Sequence, residues 1–184
     1  MTHIRRFWDG SVARWGEIRH HEDGVIRPGG VRSKEPGRLV IVCGLPGSGK
    51  TTLAKELSAD DAAVRMSPDD WMDALGINLW DTEVRAKIEQ LQRQISQQLL
   101  LQGVTVVIEW GTWAKVERDA LRVVARELGA SVELWYLEVG LEELWRRVST
   151  RQMEDPPITR TDLEGWFEQF EVPDAEEMSF FDPH

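Results

Sequence analysis

Apolar residues fall along this chain in two rhythms. Leu39-Val40-Ile41-Val42-Cys43 is a continuous apolar run, the mark of a strand buried on both faces. Residues 104–108 and 131–137 read the same way, and residues 62–66 predict a further strand. Between these runs the apolar positions step by three or four, as on one face of a helix. The stepping predicts helices over residues 50–60, 82–102, 114–128, 141–151 and 161–170. Val84, Ile88, Leu91, Ile95 and Leu99 carry the longest of them. Start and stop signals agree with the pattern. Ser67 caps and Pro68 opens a helix, Asp81 or Thr82 caps the long one, and Gly103 and Gly129 end two others. Thr161 with Glu164 predicts a capping box for the last helix. Strands alternating with helices imply an α/β chain, a mostly parallel sheet flanked by helices on both faces in three layers.

Residues 1–38 break this rhythm. Six glycines and two prolines interrupt them, yet Ile4, Phe7, Trp8, Val12, Trp15 and Ile18 recur at helical spacing. We read an N-terminal extension with a short amphipathic helix within residues 4–19. It is either a surface extension or an arm that binds a partner or gates substrate. The main domain then covers residues 39–172, and an acidic, irregular tail covers residues 173–184.

Composition narrows the classes. The chain has 184 residues and net charge −10, split as +3 over residues 1–38 and −13 over the rest. An acidic body disfavours sequence-blind duplex binding, which needs many Lys and Arg contacts. A short nucleic-acid end in a small basic cleft stays open. No stretch approaches the about 20 apolar residues of a membrane helix. Cys43 is the single cysteine, so internal disulfides and Cys-rich metal sites are excluded, and a cytoplasmic location is expected. The four histidines lie near the termini with no ligand spacing, and the glutamines between 90 and 98 are expected on the wet face of the long helix.

The chemistry-bearing motif follows the first strand. Gly44-Leu45-Pro46-Gly47-Ser48-Gly49-Lys50-Thr51 fits G-x-x-x-x-G-K-[ST], with a helix behind it. Its glycines let backbone N–H groups turn inward around a phosphate, and the helix aims its positive end at the same anion. Lys50 supplies a cation for the β- and γ-phosphates, and Thr51 a hydroxyl for Mg²⁺; Thr52 completes the loop. The expectation is a P-loop nucleoside triphosphate fold that binds ATP and Mg²⁺. No guanine-reading Asn-Lys-x-Asp stretch occurs, so ATP is the default over GTP.

Three further segments sit at expected strand ends, where parallel sheets collect function. Ser67-Pro68-Asp69-Asp70-Trp71 follows the second strand. Asp69 is placed to take a proton from an acceptor hydroxyl, while Asp70 either assists Mg²⁺ or favours the helix start. Glu109 ends the third strand, where it would hold Mg²⁺ through water or grip the acceptor. Trp110 and Trp113 follow it, as core or as a stacking rim for substrate. Asp81, Glu117 and Arg118 are other polar candidates. Arg147 and Arg151 stand four apart on one helix face.

Together, the phosphate loop, the acidic pair and the arginine helix resemble the P-loop kinase group that includes phage polynucleotide kinase, the zeta toxins and chloramphenicol phosphotransferase, together with small AAA-type kinases. The resemblance implies Asp69 as general base. It also implies that Arg147 and Arg151 clamp the transferring phosphate under a lid at residues 152–160, to which Arg160 adds. It fails just after the acidic pair, where the polynucleotide kinase has a phosphate-holding Arg and this chain has Met72 and Asp73. The expected activity is transfer of the γ-phosphate of Mg-ATP to a hydroxyl, of a small molecule in preference to a nucleic-acid 5′-end. The alternative is a nucleotide-gated NTP-binding module acting on a protein partner.

Overall fold

The computed structural model describes residues 35–59, 63–151 and 154–184. The helix expected within residues 4–19 lies outside the described residues. Four strands form one parallel sheet: β1 (Arg38–Cys43), β2 (Ala63–Met66), β3 (Thr105–Ile108) and β4 (Ser131–Tyr136). Their spatial order is β2-β3-β1-β4, so β1 lies inside the sheet. Leu39 pairs with Val106 on one side and with Val132 on the other.

The apolar run of β1 serves both faces. Val40 and Val42 join Val107 and Ala54 against α1 (Lys50–Leu57). Leu39, Ile41 and Cys43 point the other way, into a larger core. That core takes Leu100 from α3 (Thr82–Leu101), Leu121 and Ala125 from α4 (Lys115–Glu127), and Leu144 and Val148 from α5 (Leu141–Arg151). Period-2 alternation with apolar residues on both sides is what a sheet between two helical layers requires.

Caps place the helices. Ser67 Oγ accepts from the backbone N–H of Asp70 at 3.3 Å, and Pro68 takes the first position of α2 (Pro68–Ala74). Asp81 Oδ1 accepts from Val84 N at 3.0 Å, which decides between the two expected caps of α3. The last long helix, α6 (Arg160–Gln169), begins earlier than expected. Thr159 caps it, with Asp162 as the reciprocal partner, not Thr161 with Glu164. Ile158 before the cap and Leu163 after it both enter the core, an apolar clasp that fixes the start.

Residues 173–184 differ from the irregular tail expected. They contain a short helix, α7 (Ala175–Met178), and Phe181 is buried. Asp182 N donates to Val132 O at 2.8 Å, and its carboxylate accepts from Val132 N at 2.7 Å, so the segment seals the outer edge of β4. No helix among the described residues is long and apolar enough to cross a membrane.

Candidate active site

All four parallel strands end on the same side, and the segments leaving β1, β2 and β3 supply the site. The phosphate loop leaves β1 and enters α1 through Gly49, at φ 103°. Gly47 is at φ 85°, and a Cβ there would lie 2.9 Å from Val148 Cγ2 and 3.1 Å from Leu144 O. Both the left-handed backbone and the closeness of α5 demand glycine at that position. Lys50 Nζ donates to Leu45 O at 3.1 Å. Burial lowers the Lys50 pKa to about 8 against the raising fields of Asp69 and Glu109. Ser48 Oγ is buried with no protein partner. A desolvated ammonium, an unpartnered buried hydroxyl and a helix N-terminus together fit an anionic phosphate group. Leu45 is buried, Pro46 is half-buried, and Thr51 and Thr52 are exposed at the start of α1.

The acids gather around a residue that the sequence reading passed over. Arg65, in β2, donates one arm to Glu109 and the other to Asp70. Glu109 is buried after β3 and is tied to β2 again by its N–H on Met66 O at 3.3 Å. Asp70 and Glu109, expected to reach Mg²⁺, therefore have a guanidinium on them already. Among the described residues no cluster of His, Cys, Asp and Glu forms a metal cage. Thr51 keeps its expected place beside the phosphate loop. A charged residue between Val64 and Met66, inside a strand, was the available signal for Arg65.

Asp69 stands half out into solvent at the start of α2, and Arg85 Nη2 of α3 meets its Oδ1 at 2.6 Å. Arg85, Glu89 and Arg93 follow at i, i+4 and i+8, one face of α3. Arg93 reaches Glu89 at 3.8 Å and lies 5.1 Å over the Trp110 ring. Trp110 itself is buried, and its indole N–H donates to the buried Gln92 Oε1 at 2.7 Å. This closes one alternative and corrects one expectation: Trp110 is core and not rim, and Gln92 faces inward. Burying an indole requires a partner for its N–H, and Gln92 supplies it. Trp113 is half-buried and packs 5.7 Å from Trp166, which lies 5.9 Å from Trp80. Arg118 is fully buried and Glu117 half-buried, with the Glu117 carboxylate accepting from Ala114 N at 3.1 Å.

The arginine helix closes the other side. Arg147 Nη1 donates to Gly47 O at 3.2 Å and Ser48 O at 3.4 Å, so this side chain lies against the outside of the phosphate loop. Its Nε donates to Glu143 Oε1 at 2.6 Å. Arg151 Nη2 donates to Glu154 Oε1 at 2.5 Å, and its charge is felt at Lys50. Arg160 forks to Glu142 and Glu164 at the start of α6. Asn78 Nδ2 and Trp80 Nε1, from the loop between α2 and α3, donate to Asp155 O and Pro156 O at 2.8 and 2.7 Å. Asp155 and Pro156, in the segment expected as a lid, are thus tied to the loop between α2 and α3. A cavity of about 140 Å³ opens beside Leu45, walled by residues 136–140, Leu144, Phe167 and Phe170.

Solved structures share this architecture. The chain matches a structure of the Pnkp1/Rnl/Hen1 RNA repair complex with a TM-score of 0.64 and 22% identity, over 80% of this chain and 47% of that one. It matches a putative kinase from Chloroflexus aurantiacus with a TM-score of 0.60 and 20% identity, over 76% and 83% of the two chains. It matches Kti12 of Chaetomium thermophilum in complex with ADP-AlF3 with a TM-score of 0.53 and 21% identity, over 79% and 86%. The chain spans about half the length of the RNA repair chains it matches. No curated protein sequence matches it. Residues 39–173 match the family model for an AAA domain. The chain therefore belongs to that AAA domain family and has the P-loop fold of the kinase group to which its phosphate loop, acidic pair and arginine helix pointed.

Proposed function

We propose that this chain is an ATP-dependent phosphotransferase with an alcohol group as acceptor. The observation that carries the reading is that the phosphate loop after β1 and Asp69 after β2 stand at the same end of the parallel sheet. Burial lowers the Lys50 pKa, and the fields of Asp69 and Glu109 act against it. A phosphoryl donor and a proton acceptor facing one another is the minimum that hydroxyl phosphorylation needs.

Mg-ATP, when bound, supplies the γ-phosphoryl group and the metal charge that offsets its oxygens. The backbone N–H groups of Gly47, Gly49, Lys50 and Thr51 and the Lys50 ammonium would hold the phosphates, and the Thr51 hydroxyl would be the protein's ligand to the metal. Asp69, half exposed beside Arg85, takes the proton of the acceptor hydroxyl as that oxygen attacks. Arg151, paired with Glu154 at the end of α5, would exchange that partner for the transferring group. Arg147 keeps the loop in shape through the carbonyls of Gly47 and Ser48 and shares in neutralising the phosphates. Trp113 walls the acceptor side, and Glu109 acts through Arg65, which orients Asp70.

The test is ADP release from Mg-ATP across a panel of hydroxyl-bearing acceptors. Lys50→Ala is expected to abolish acceptor-stimulated release and to weaken nucleotide binding at least tenfold. Nucleotide binding with no stimulation by any acceptor would favour a nucleotide-gated binding module instead.

A further inference from the structure

The α3 face beyond Asp69 carries a pattern of charge that bears on the acceptor. Arg85, Glu89 and Arg93 alternate in sign along one stripe, and Glu117 at the start of α4 adds its field to Glu89. Each arginine around the acceptor side has a carboxylate partner: Arg65 with Asp70 and Glu109, Arg85 with Asp69, Arg93 with Glu89. Counting Glu117, three guanidinium groups face five carboxylates. The Arg93 Nε–H is buried with no acceptor of its own.

Resting on the kinase reading, we propose that the acceptor is a small polyhydroxy compound with no phosphate or carboxylate, neutral or amino-bearing, and that the Arg85–Glu89–Arg93 face of α3 selects it. The reasoning is one of exchange. An anionic acceptor gains the Arg65 or Arg85 guanidinium only by displacing the carboxylate it holds, and at Arg93 it stands beside Glu89, which is costly at partly buried sites. A hydroxyl inserts without breaking a pair, because it donates to a carboxylate and accepts from a guanidinium at the same time. The unfilled Arg93 Nε–H is one such donor. An ammonium on the ligand adds a cation where carboxylates outnumber guanidinium groups and where Glu89 has its guanidinium only at 3.8 Å.

Calorimetry on the full chain, saturated with Mg²⁺ and a non-hydrolysable ATP analogue, tests this. The probes fall in three arms: glucose, ribose and adenosine; glucosamine and kanamycin; gluconate, glucose 1-phosphate and a 5′-hydroxyl tetrathymidylate. The expected result is binding in the first two arms, with at least one member about tenfold tighter than any anionic probe. Glu89→Gln is expected to weaken the amino-bearing probe about tenfold and the neutral probes less than threefold, with the analogue's own affinity read in the same samples as the check on folding. Tightest binding in the anionic arm, or no binding in either of the other two, overturns the proposal. Binding in the predicted order with no ADP release from Mg-ATP would leave the ligand class standing and remove the kinase reading, so the two fail separately.

Discussion

Arg118 and Glu177 meet through two hydrogen bonds, of 2.6 and 2.8 Å, with both side chains withdrawn from solvent. The same guanidinium takes the carbonyls of Thr112 and Trp113 at 3.1 Å each. One buried arginine therefore joins α4, the loop that carries Trp113 and the C-terminal α7. A pair of this kind contributes little net stability when intact, but removing one partner leaves an uncompensated buried charge.

Glu177→Gln is accordingly expected to destabilise the fold by about 3 kcal/mol. Urea unfolding measures it, and a loss under about 1 kcal/mol would mean that the pair is open to water. Arg118→Met with Glu177→Leu, which removes both charges, is expected to recover most of the loss.

Arg65 poses the same question inside the site. Arg65→Met leaves Glu109 buried beside β2 without its cation. The expected cost is about 3 kcal/mol, with a fall in acceptor-stimulated turnover. Glu109→Gln added to that variant is expected to restore part of the stability and none of the turnover. Thermal unfolding with ADP release separates the two effects, and unchanged turnover in Arg65→Met would show that Asp70 needs no orientation.

Lys50 sets a pH limit on nucleotide binding. Its pKa in the free protein is lowered to about 8 by burial, so the ammonium is charged below that pH and neutral above it. Phosphate oxygens favour the charged form, which makes binding take up a proton as pH passes 8. Affinity for a non-hydrolysable ATP analogue is expected to stay level from pH 7.5 to 8 and then to fall by up to tenfold per pH unit. A flat profile to pH 9.5 would place the ammonium in water. Lys50→Met is expected to bind weakly and without this slope.

Cys43 offers a simple probe of the core. It is the only cysteine, lies fully buried in β1, and burial pushes its thiol up to about 12. Since the thiolate is the reactive form, alkylation at pH 8 is expected to be negligible in the native protein and complete in denaturant. Rapid native labelling would require β1 to open on the timescale of the reaction.

Much of this was legible in the residues. The apolar runs of β1, β3 and β4 identify themselves, because a strand covered on both faces has no polar side to confuse it. The phosphate loop is local chemistry, set by glycines at positive φ and by Lys50, and so needs no tertiary knowledge. What escaped was set by distant contacts. Gln92 looks like its exposed neighbours Gln90 and Gln94 until Trp110 is seen beside it. Thr159 and Thr161 both precede an acid by three residues, and only the burial of Ile158 and Leu163 chooses between them. Arg85 and Asp69 are 16 positions apart, Arg118 and Glu177 are 59, and no periodicity links either pair.

The central claim is that Asp69 takes the proton of an acceptor hydroxyl facing a nucleotide at Lys50. Asp69→Asn keeps the shape of the side chain and removes its basicity. Single-turnover phosphorylation of the best acceptor from the panel, with nucleotide affinity measured alongside, tests the claim most directly. The account predicts a fall of at least a hundredfold in the transfer rate with analogue affinity within threefold of the native chain. Transfer at the native rate by Asp69→Asn would contradict it and leave Asp69 as an acid of the first turn of α2.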